Sequence, residues 1–401
     1  MKINLIRFAN NLDIDAPYLK DSEQFINDIN NELFDEEIEL VENAEDALFS
    51  IIFIETGGSE QKFILEEPNL ARPIILLSHC KNNSLPACFE IKTYLDAKKD
   101  NVILLFGDEK IVSKSLSAVS KVMLAKHELN DINLGVIGEP SDWLIASRVD
   151  YQKAKTLMGI NLIDISIDEL ITEIEKGKIE QIPHQLDFNN KFKNEEVLSK
   201  ALDIYSGLKR IIKKYNLKGF TLRCFDLLKE YKNTACLAFA MLNEEGIVAA
   251  CEGDVPALLT MILIKACTNL PSFMANPSRI DLSKNEILFA HCTLPLNMCK
   301  EYELTTHFES GLGIGVRGIL DKKEITIIKI TPNLKDILCV KGEIIDNPNL
   351  VNYCRTQILT KLEMEDLFDF LKDSFGNHVL IVYGDVHDKI LTLFNFLVDG
   401  E

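Results

Sequence analysis

Three side chains suited to binding a divalent cation occur in the second half of the 401-residue chain. Glu252 follows the apolar run "GIVAAC", His291 lies in "ILFAHC", and His378 lies in "FGNHVLIVYGD". A carboxylate combined with imidazole groups suits Mn²⁺ and neighbouring divalent metals. Each histidine alone is equally consistent with a buried core residue. The prediction of a metal site therefore depends on whether the three side chains converge.

Glu252 and Asp254 stand at the junction of two buried elements. Residues 247–251 predict a strand and residues 255–267 predict a helix. In open α/β sheets, ligands bind at the carboxyl ends of the strands. Asp254 has an ordinary structural explanation as the N-cap of the helix, with Pro256 in the first turn. Glu252 has no such explanation, so we expect it to be either solvated or a ligand.

Two other sequence features are weaker indications of a functional site. His307, in "THFESG", is read as the start of a strand and is a less apolar candidate than the other histidines. The stretch "GIGVRG" (313–318) matches a dinucleotide-binding pattern, but that pattern must open a helix. Because the strand-like "EITIIKI" follows it, we interpret these glycines as a hairpin turn.

Composition and charge exclude some partners. The net charge of −19 and the pI near 4.9 argue against nucleic acid, which requires clustered basic residues. The ten cysteines contain no CxxC pair and are typical of free thiols in a reducing compartment. No apolar run is long enough to span a bilayer, and the first residues already resemble a strand. We therefore expect a cytoplasmic protein with no membrane partner.

The pattern of apolar segments predicts an α/β fold with three domains. Strands and helices alternate through the first two thirds of the chain, and the strands are continuously apolar, which indicates parallel, doubly wound sheets. Short strands separated by turns follow, which is typical of a small antiparallel barrel. We predict an N-terminal α/β domain over 1–137, a second over 138–270, and a β-barrel domain with a terminal helix over 271–401.

The residues from Cys251 to Cys292 resemble the core of the L-fucose/L-arabinose isomerase family. In that family, Glu-Gly-Asp at a strand end is followed by an acidic residue after a segment such as "SFM", then by a strand with a histidine. A last histidine precedes a "VLVYGD"-like strand. The chain carries Glu252, "SFMAN", His291, and His378 before "VLIVYGD" in the same order. The stretches "GVIGEPSDWLIAS" and "NNSLPA" resemble the shorter members of the group.

The resemblance implies a fold and a reaction. The fold is two Rossmann-like α/β domains followed by a β-barrel, in hexamers or trimers with active sites between subunits. The reaction interconverts an aldose and a ketose through an enediol, with Mn²⁺ or another divalent cation. The implied metal ligands are Glu252, Asn276, His291 and His378, and the candidate catalytic residues are Glu252, Asn276 and Asp254. A carboxylate can serve as the base when a metal polarises the sugar oxygens.

One position departs from the family pattern. Asn276 stands where the family carries an acidic residue, and a carboxamide can bind a metal but cannot accept a proton. Asp254 and Glu309 are the alternatives for a second acid/base group. The departure leaves two further possibilities open. One is a non-catalytic sugar-binding sensor derived from an isomerase, and the other is a different sugar-modifying enzyme, such as an epimerase or lyase, on the same fold.

Overall fold

The computed structural model describes residues 1–10, 17–43, 47–66, 74–98, 100, 102–373 and 375–398. The chain divides into two compact units. The first comprises Met1–His127 with the terminal Asn395–Glu401, and the second comprises Glu128–Phe394. All four of the predicted metal-binding side chains belong to the second unit.

The first unit contains a five-stranded parallel sheet in the order β2-β1-β3-β4-β5. Its central strands are continuously apolar because both faces of the sheet are buried. The strands are β1 (Lys2–Phe8), β2 (Glu39–Glu42), β3 (Ser50–Ile54), β4 (Ile74–His79) and β5 (Val102–Gly107). The helices are α1 (Pro17–Leu33), α2 (Glu60–Glu66), α3 (Ser84–Ala97) and α4 (Glu109–Leu129).

The second unit begins with a four-stranded parallel sheet in the order β7-β6-β8-β9. Its strands are β6 (Asn133–Ile137), β7 (Asn161–Ile165), β8 (Leu217–Leu222) and β9 (Val248–Ala250). Its helices are α5 (Tyr151–Met158), α6 (Ile167–Glu175), α7 (Gln185–Lys191), α8 (Glu195–Tyr215), α9 (Cys224–Tyr231), α10 (Cys236–Glu244) and α11 (Val255–Thr268). The strand order reverses direction between β6 and β8, and such a point opens a crevice at the carboxyl ends of the strands.

A closed barrel of antiparallel strands follows, in the order β10-β11-β16-β15-β14-β17. A separate two-stranded ribbon pairs β12 with β13. The strands are β10 (Phe273–Asp281), β11 (Glu286–His291), β12 (Cys299–Thr305), β13 (Gly315–Leu320), β14 (Glu324–Ile330), β15 (Ile337–Asp346), β16 (Thr356–Lys361) and β17 (Val379–Tyr383). Helices α12 (Met364–Lys372) and α13 (His387–Val398) follow, and the last four residues of α13 are counted with the first unit.

Helix α11 joins the parallel sheet to the barrel. It packs against β9 on one side and against β14 and β17 on the other. Two buried sides explain why its sequence, "VPALLTMILIKACT", is apolar almost all round rather than along one stripe. Thr260 of α11 also accepts a hydrogen bond from the backbone N–H of Ile330 in β14, at 3.0 Å. The start of α11 is therefore held firmly against the barrel.

The predicted mixed α/β fold, with parallel sheets and an antiparallel barrel, is confirmed. The domain ranges stay a prediction, although β6, which the sequence analysis placed in the first domain, pairs with β7 and β8 of the second sheet. The "GIGVRG" glycines precede and enter the strand β13, so they do not open a helix. Among the described residues, no helix has both the length and the hydrophobicity needed to cross a membrane.

Candidate active site

The connection from β9 to α11 carries Glu252 at the carboxyl edge of the parallel sheet. Neighbouring connections hold it in place through the backbone. Gly253 donates its N–H to the carbonyl oxygen of Leu222 at 3.0 Å, and Val255 donates to that of Ser147 at 3.1 Å. The hydroxyl group of Ser141 donates to the carbonyl oxygen of Glu252. Loops that follow β6, β8 and β9 thus fix one turn, as expected at a switch point of strand order.

The backbone of this turn is strained at its functional residue. Glu252 has φ +58° and Gly253 has φ +63°, so two consecutive residues adopt the left-handed conformation. A Cβ atom at Gly253 would lie 2.9 Å from both the carbonyl oxygen of Glu139 and the N–H nitrogen of Ser141, so only glycine fits. Glu252 has no such freedom, and a non-glycine residue in this region is destabilised. Such strain is concentrated at functional sites.

Two histidines from the barrel face the carboxylate of Glu252. His291 ends β11, and its Nε2 lies 3.7 Å from Glu252 Oε1. His378 directly precedes β17, and its Nε2 lies 3.6 Å from the same oxygen. The imidazole rings meet edge to face, with centroids 5.3 Å apart. The structure therefore brings together three of the residues that the sequence analysis proposed as metal ligands.

These separations fit a shared cation better than direct hydrogen bonds. A hydrogen bond requires about 2.7–3.2 Å between heavy atoms. Two ligands about 2.1 Å from one ion in a tetrahedral to trigonal arrangement are about 3.4–3.6 Å apart. His378 is buried, and its Nε2 has no hydrogen-bond partner among the described residues. A buried nitrogen that has no partner in the described part of the chain and lies 3.6 Å from a carboxylate oxygen is available to bind a divalent cation.

The second nitrogen of each histidine ring has a partner that fixes its orientation. Nδ1 of His291 lies 2.9 Å from the hydroxyl oxygen of Thr293. Nδ1 of His378 lies 2.9 Å from Asp254 Oδ2. Partners of this kind orient histidines that bind metals and set the tautomer that leaves Nε2 free. Thr293 was not singled out from the sequence, although its position two residues after His291 is a possible signal.

Asp254 combines three roles. Its side chain accepts a hydrogen bond from the backbone N–H of Ala257 at 2.8 Å, so the predicted N-cap of α11 is confirmed. It also contacts His378, and Nζ of the buried Lys329 lies 3.1 and 3.0 Å from its two carboxylate oxygens. Lys329 was missed by the sequence analysis. A single lysine inside the apolar strand "EITIIKI" was the available signal, because a buried charge needs a partner.

The electrostatics of the cluster follow from these contacts. Burial opposes ionisation of Glu252, but the nearby imidazole groups of His291 and His378 favour its charged form and hold the pKa of its carboxyl group well below the usual range. Burial likewise opposes ionisation of Asp254, yet the charge of Lys329 and the contact with His378 lower its pKa to about 2. Both carboxylates are therefore ionised at neutral pH.

The two histidines differ in their protonation. Burial disfavours the charged form of His378, but Asp254 and Glu252 outweigh it and raise the pKa of its imidazole to about 9. At His291, burial prevails over the attraction of Glu252 and lowers the pKa of the imidazole. Without a cation, His378 carries the positive charge that balances Glu252. Binding of a metal to His378 Nε2 requires loss of that proton.

Asn276 lies where the barrel strand β10 changes its partner. Residues 273–275 pair with β17, and Asn276 pairs with Ala290, which precedes His291. Phe273 and Ala275 face the barrel core, so Met274 and Asn276 face outward. Met274 Sδ accepts a hydrogen bond from the N–H of Cys251 at 3.3 Å, so this outward face meets the Glu252 turn. The buried Oδ1 of Asn276 has no hydrogen-bond partner among the described residues.

The loop between β12 and β13 carries two further titratable groups. His307 lies in this loop and does not begin a strand, because its Nδ1 contacts the Ser310 hydroxyl group at 3.0 Å within a turn. The side chain of Glu309 is exposed to solvent, yet desolvation by the surrounding protein atoms and the negative charge of Glu252 raise the pKa of its carboxyl group. Glu309 is thus within electrostatic reach of Glu252 and remains accessible.

The chain is similar to curated proteins named sulfoquinovose isomerase. It is 24% identical over 313 residues to the protein of Priestia aryabhattai, covering 73% of this chain and 69% of the relative. It is 24% identical over 364 residues to that of Clostridium sp. (strain MSTE9), covering 82% and 78%. The protein of Alkalicoccus urumqiensis is 23% identical over 302 residues, covering 71% and 68%. No protein-family model matches the chain.

These matches bear on the predicted activity. They confirm that the chain is an enzyme of the aldose–ketose isomerase type, as the sequence analysis predicted. The likeness to sugar isomerases is likewise confirmed at that general level, whereas the link to L-fucose and L-arabinose isomerases stays a prediction. The matched relatives are named as enzymes, so they give no support to the alternative of a non-catalytic sensor.

Proposed function

We propose that the chain is a divalent-metal-dependent isomerase that interconverts an aldose and a ketose bearing an anionic substituent, such as a sulfonate. Glu252, His291 and His378 are the proposed metal ligands, and Asn276 Oδ1 is the proposed fourth. The observation that carries the proposal is the approach of two histidine Nε2 atoms to one oxygen of Glu252, at 3.7 and 3.6 Å. Mn²⁺ is the expected cation because the set combines oxygen and imidazole donors.

The proposed chemistry requires a base beside the sugar carbonyl. A bound divalent cation would polarise the hydroxyl and carbonyl oxygens of the sugar and so acidify the adjacent C–H group. Glu252 directs Oε1 toward the histidines, which leaves Oε2 to accept the proton from one carbon and return it to the neighbouring carbon. The low pKa of Glu252 keeps its carboxylate ionised but makes it a weak base, so the proposed proton transfer depends on the cation acidifying the C–H group.

A second acid/base group is needed to move the hydroxyl proton, and Asn276 cannot accept it. Glu309 is the better of the two alternatives, because it is accessible and the pKa of its carboxyl group is raised. Asp254 is only 3% exposed, and its carboxylate is occupied by His378, Lys329 and the N–H of Ala257. We therefore assign Asp254 the role of positioning His378, without contact to the sugar.

Two observations support the anionic substituent: the names of the relatives and the position of one positively charged side chain, Arg355. Arg355 directly precedes β16. The first residue of that strand, Thr356, pairs with His291. The Nε atom of Arg355 donates to the carbonyl oxygen of Thr306 at 2.7 Å, and its guanidinium lies over the ring of Phe308. It forms no ion pair with a carboxylate of the described residues. In a chain of net charge −19, such a cation is a candidate to meet a sulfonate.

The assembly state belongs to the same proposal. We propose a homo-oligomer, most simply the hexamer or trimer implied by the resemblance, and light scattering at micromolar concentration tests it. A monomer under conditions that support turnover contradicts that part of the proposal without affecting the metal centre.

The experiment that tests the proposed function is an isomerase assay of chelator-treated protein resupplied with Mn²⁺. Sulfoquinovose is compared with glucose, L-fucose and L-arabinose, and the ketose is followed by NMR. Turnover of sulfoquinovose only after Mn²⁺ is added supports the proposal. Equal turnover of the uncharged sugars contradicts the proposed anionic substituent. If no sugar is turned over, the proposed isomerase reaction is contradicted.

A further inference from the structure

Two cysteines lie directly beside the proposed metal centre. Cys251 precedes Glu252 in the chain and is buried, with an exposed fraction of 3%. Its sulfur lies 3.4 Å from the sulfur of Cys224, at the start of α9. Both cysteines are free thiols. Neither takes part in the isomerisation as proposed above, so their presence at this edge of the sheet is unexplained by it.

The thiol of Cys251 belongs to the same cluster of donor atoms as Glu252 and His291. One ligand atom from each of these three residues lies within 4.8 Å of the other two. Among the described residues, this is the one group of three in which every ligand atom lies that close to the others. His378 is outside it, although its Nε2 lies 3.6 Å from Glu252 Oε1. A tetrahedral zinc ion about 2.3 Å from sulfur and about 2.1 Å from nitrogen or oxygen holds these donors about 3.6 Å apart, so side-chain movements of about 1 Å suffice.

We propose that Cys251 is a thiolate ligand at this centre and gives it a second mode of binding, selective for thiophilic divalent cations such as Zn²⁺ and Cd²⁺. In this mode the ligands are Cys251, Glu252 and His291, whereas Cys224 lies outside this group and contacts only the Cys251 sulfur, at 3.4 Å. This inference uses the location of the proposed metal centre, but it does not require that the chain turns over a sugar.

The chemistry of the two modes differs. Carboxylate, carboxamide and imidazole donors suit Mn²⁺, whereas a thiolate favours softer and more strongly bound cations. Binding through Cys251 converts its thiol to a thiolate and releases one proton to solvent, with no oxidation. Because Glu252 and His291 serve both modes, the two cations compete. Zn²⁺ therefore displaces Mn²⁺ and fills the position that the sugar oxygens would use.

Titration of chelator-treated protein with Cd²⁺, followed by the ultraviolet charge-transfer absorption of thiolate-bound Cd²⁺, tests the proposal. We expect a band that saturates at one Cd²⁺ per chain in the wild type. The band is lost in Cys251→Ser and is unchanged in Cys88→Ser, which alters a buried thiol of the first unit. Binding of Mn²⁺ to Cys251→Ser, measured by electron paramagnetic resonance, is expected to persist and establishes that this variant folds.

A second measurement keeps the proposal open to refutation if Cys251→Ser does not fold. X-ray absorption of the zinc-loaded wild type is expected to show a sulfur neighbour at about 2.3 Å. Only nitrogen and oxygen neighbours around Zn²⁺, or a Cd²⁺ band of full intensity in folded Cys251→Ser, overturns the proposal. Absence of isomerase activity alongside an intact band counts against the proposed function alone, whereas activity with Mn²⁺ but no band counts against this inference alone.

Discussion

The side chain of His378 is fixed by Asp254: the two meet at 2.9 Å between Nδ1 and Oδ2, and both are buried. Asp254 caps the helix that leaves the parallel sheet, whereas His378 directly precedes the barrel strand β17. One hydrogen bond therefore links the two parts of the second unit that supply the metal ligands. It also directs Nε2 of His378 toward Glu252.

Loss of this bond is expected to weaken metal binding. Asp254→Asn keeps the size of the side chain but removes the negative charge that orients the imidazole. Changes of this kind typically reduce metal affinity by about 10- to 100-fold. We expect a loss in that range for Mn²⁺, measured by electron paramagnetic resonance of the free ion.

The matched control for this prediction is Asp150→Asn. Asp150 is also an N-cap, accepting hydrogen bonds from the N–H groups of Gln152 and Lys153 at the start of α5. Its replacement is expected to leave Mn²⁺ affinity unchanged. Equal affinity in Asp254→Asn and the wild type shows that Asp254 acts only as a cap.

The stability of the metal-free protein is expected to fall as the pH rises from 6.5 to 9. The folded state raises the pKa of His378 from 6.5 to about 9, so its stabilising effect is complete below 6.5 and is lost as the pH passes through 9. A shift of this size corresponds to about 3 kcal/mol in the free energy of unfolding. Urea unfolding with a chelator present, followed by the fluorescence of Trp143, the single tryptophan, measures it.

The contribution of His378 to this pH dependence can be isolated with Asp254→Asn, which removes one of the two carboxylates that raise its pKa. The decline of the free energy of unfolding over this pH range should be smaller in the variant. The same decline in both proteins shows that another group is responsible.

Much of this architecture is readable from sequence, because it depends on local pattern. Alternating buried strands and helices predict parallel sheets, and short strands separated by turns predict the barrel. The position of Glu252 also follows from local pattern, because "CEGDVP" combines a strand end with an N-cap and a proline. The side chains that hold the site residues in place do not follow from local pattern. Lys329 reaches Asp254 only through the packing of the barrel, which depends on contacts distant in sequence. Thr293 is only two residues from His291, but their contact depends on the backbone that follows β11.

The backbone of Glu252 is another feature that sequence alone does not reveal. Its φ of +58° is strained for any residue with a Cβ atom. Glu252→Gly and Glu252→Ala both delete the carboxylate, but only glycine relieves the strain. We expect the glycine variant to be more stable by about 1 kcal/mol in urea unfolding. A glycine variant equal to or less stable than the alanine variant contradicts the left-handed turn. Neither variant is expected to isomerise a sugar.

The amide of Asn276 is expected to act as a neutral ligand. Asn276→Asp adds a negative charge at an oxygen for which the described residues provide no hydrogen-bond partner. It should therefore tighten Mn²⁺ binding, because ligand charge tunes affinity. Turnover should change only moderately, since Glu252 already supplies the base. If instead the wild type is inactive and Asn276→Asp isomerises a sugar, the second carboxylate is the missing catalytic group, because general acid–base catalysis contributes about 10²–10⁴-fold.

The most direct test of the central claim measures Mn²⁺ binding and isomerisation together in the wild type, Glu252→Gln and His378→Gln. The account predicts one Mn²⁺ per chain in the wild type and conversion of sulfoquinovose to its ketose only when that ion is bound. It also predicts at least tenfold weaker binding in His378→Gln, in line with the loss of an oriented ligand, and no conversion in Glu252→Gln. Conversion by chelator-treated wild type, or by Glu252→Gln at the wild-type rate, contradicts the claim that this cluster is the catalytic metal centre.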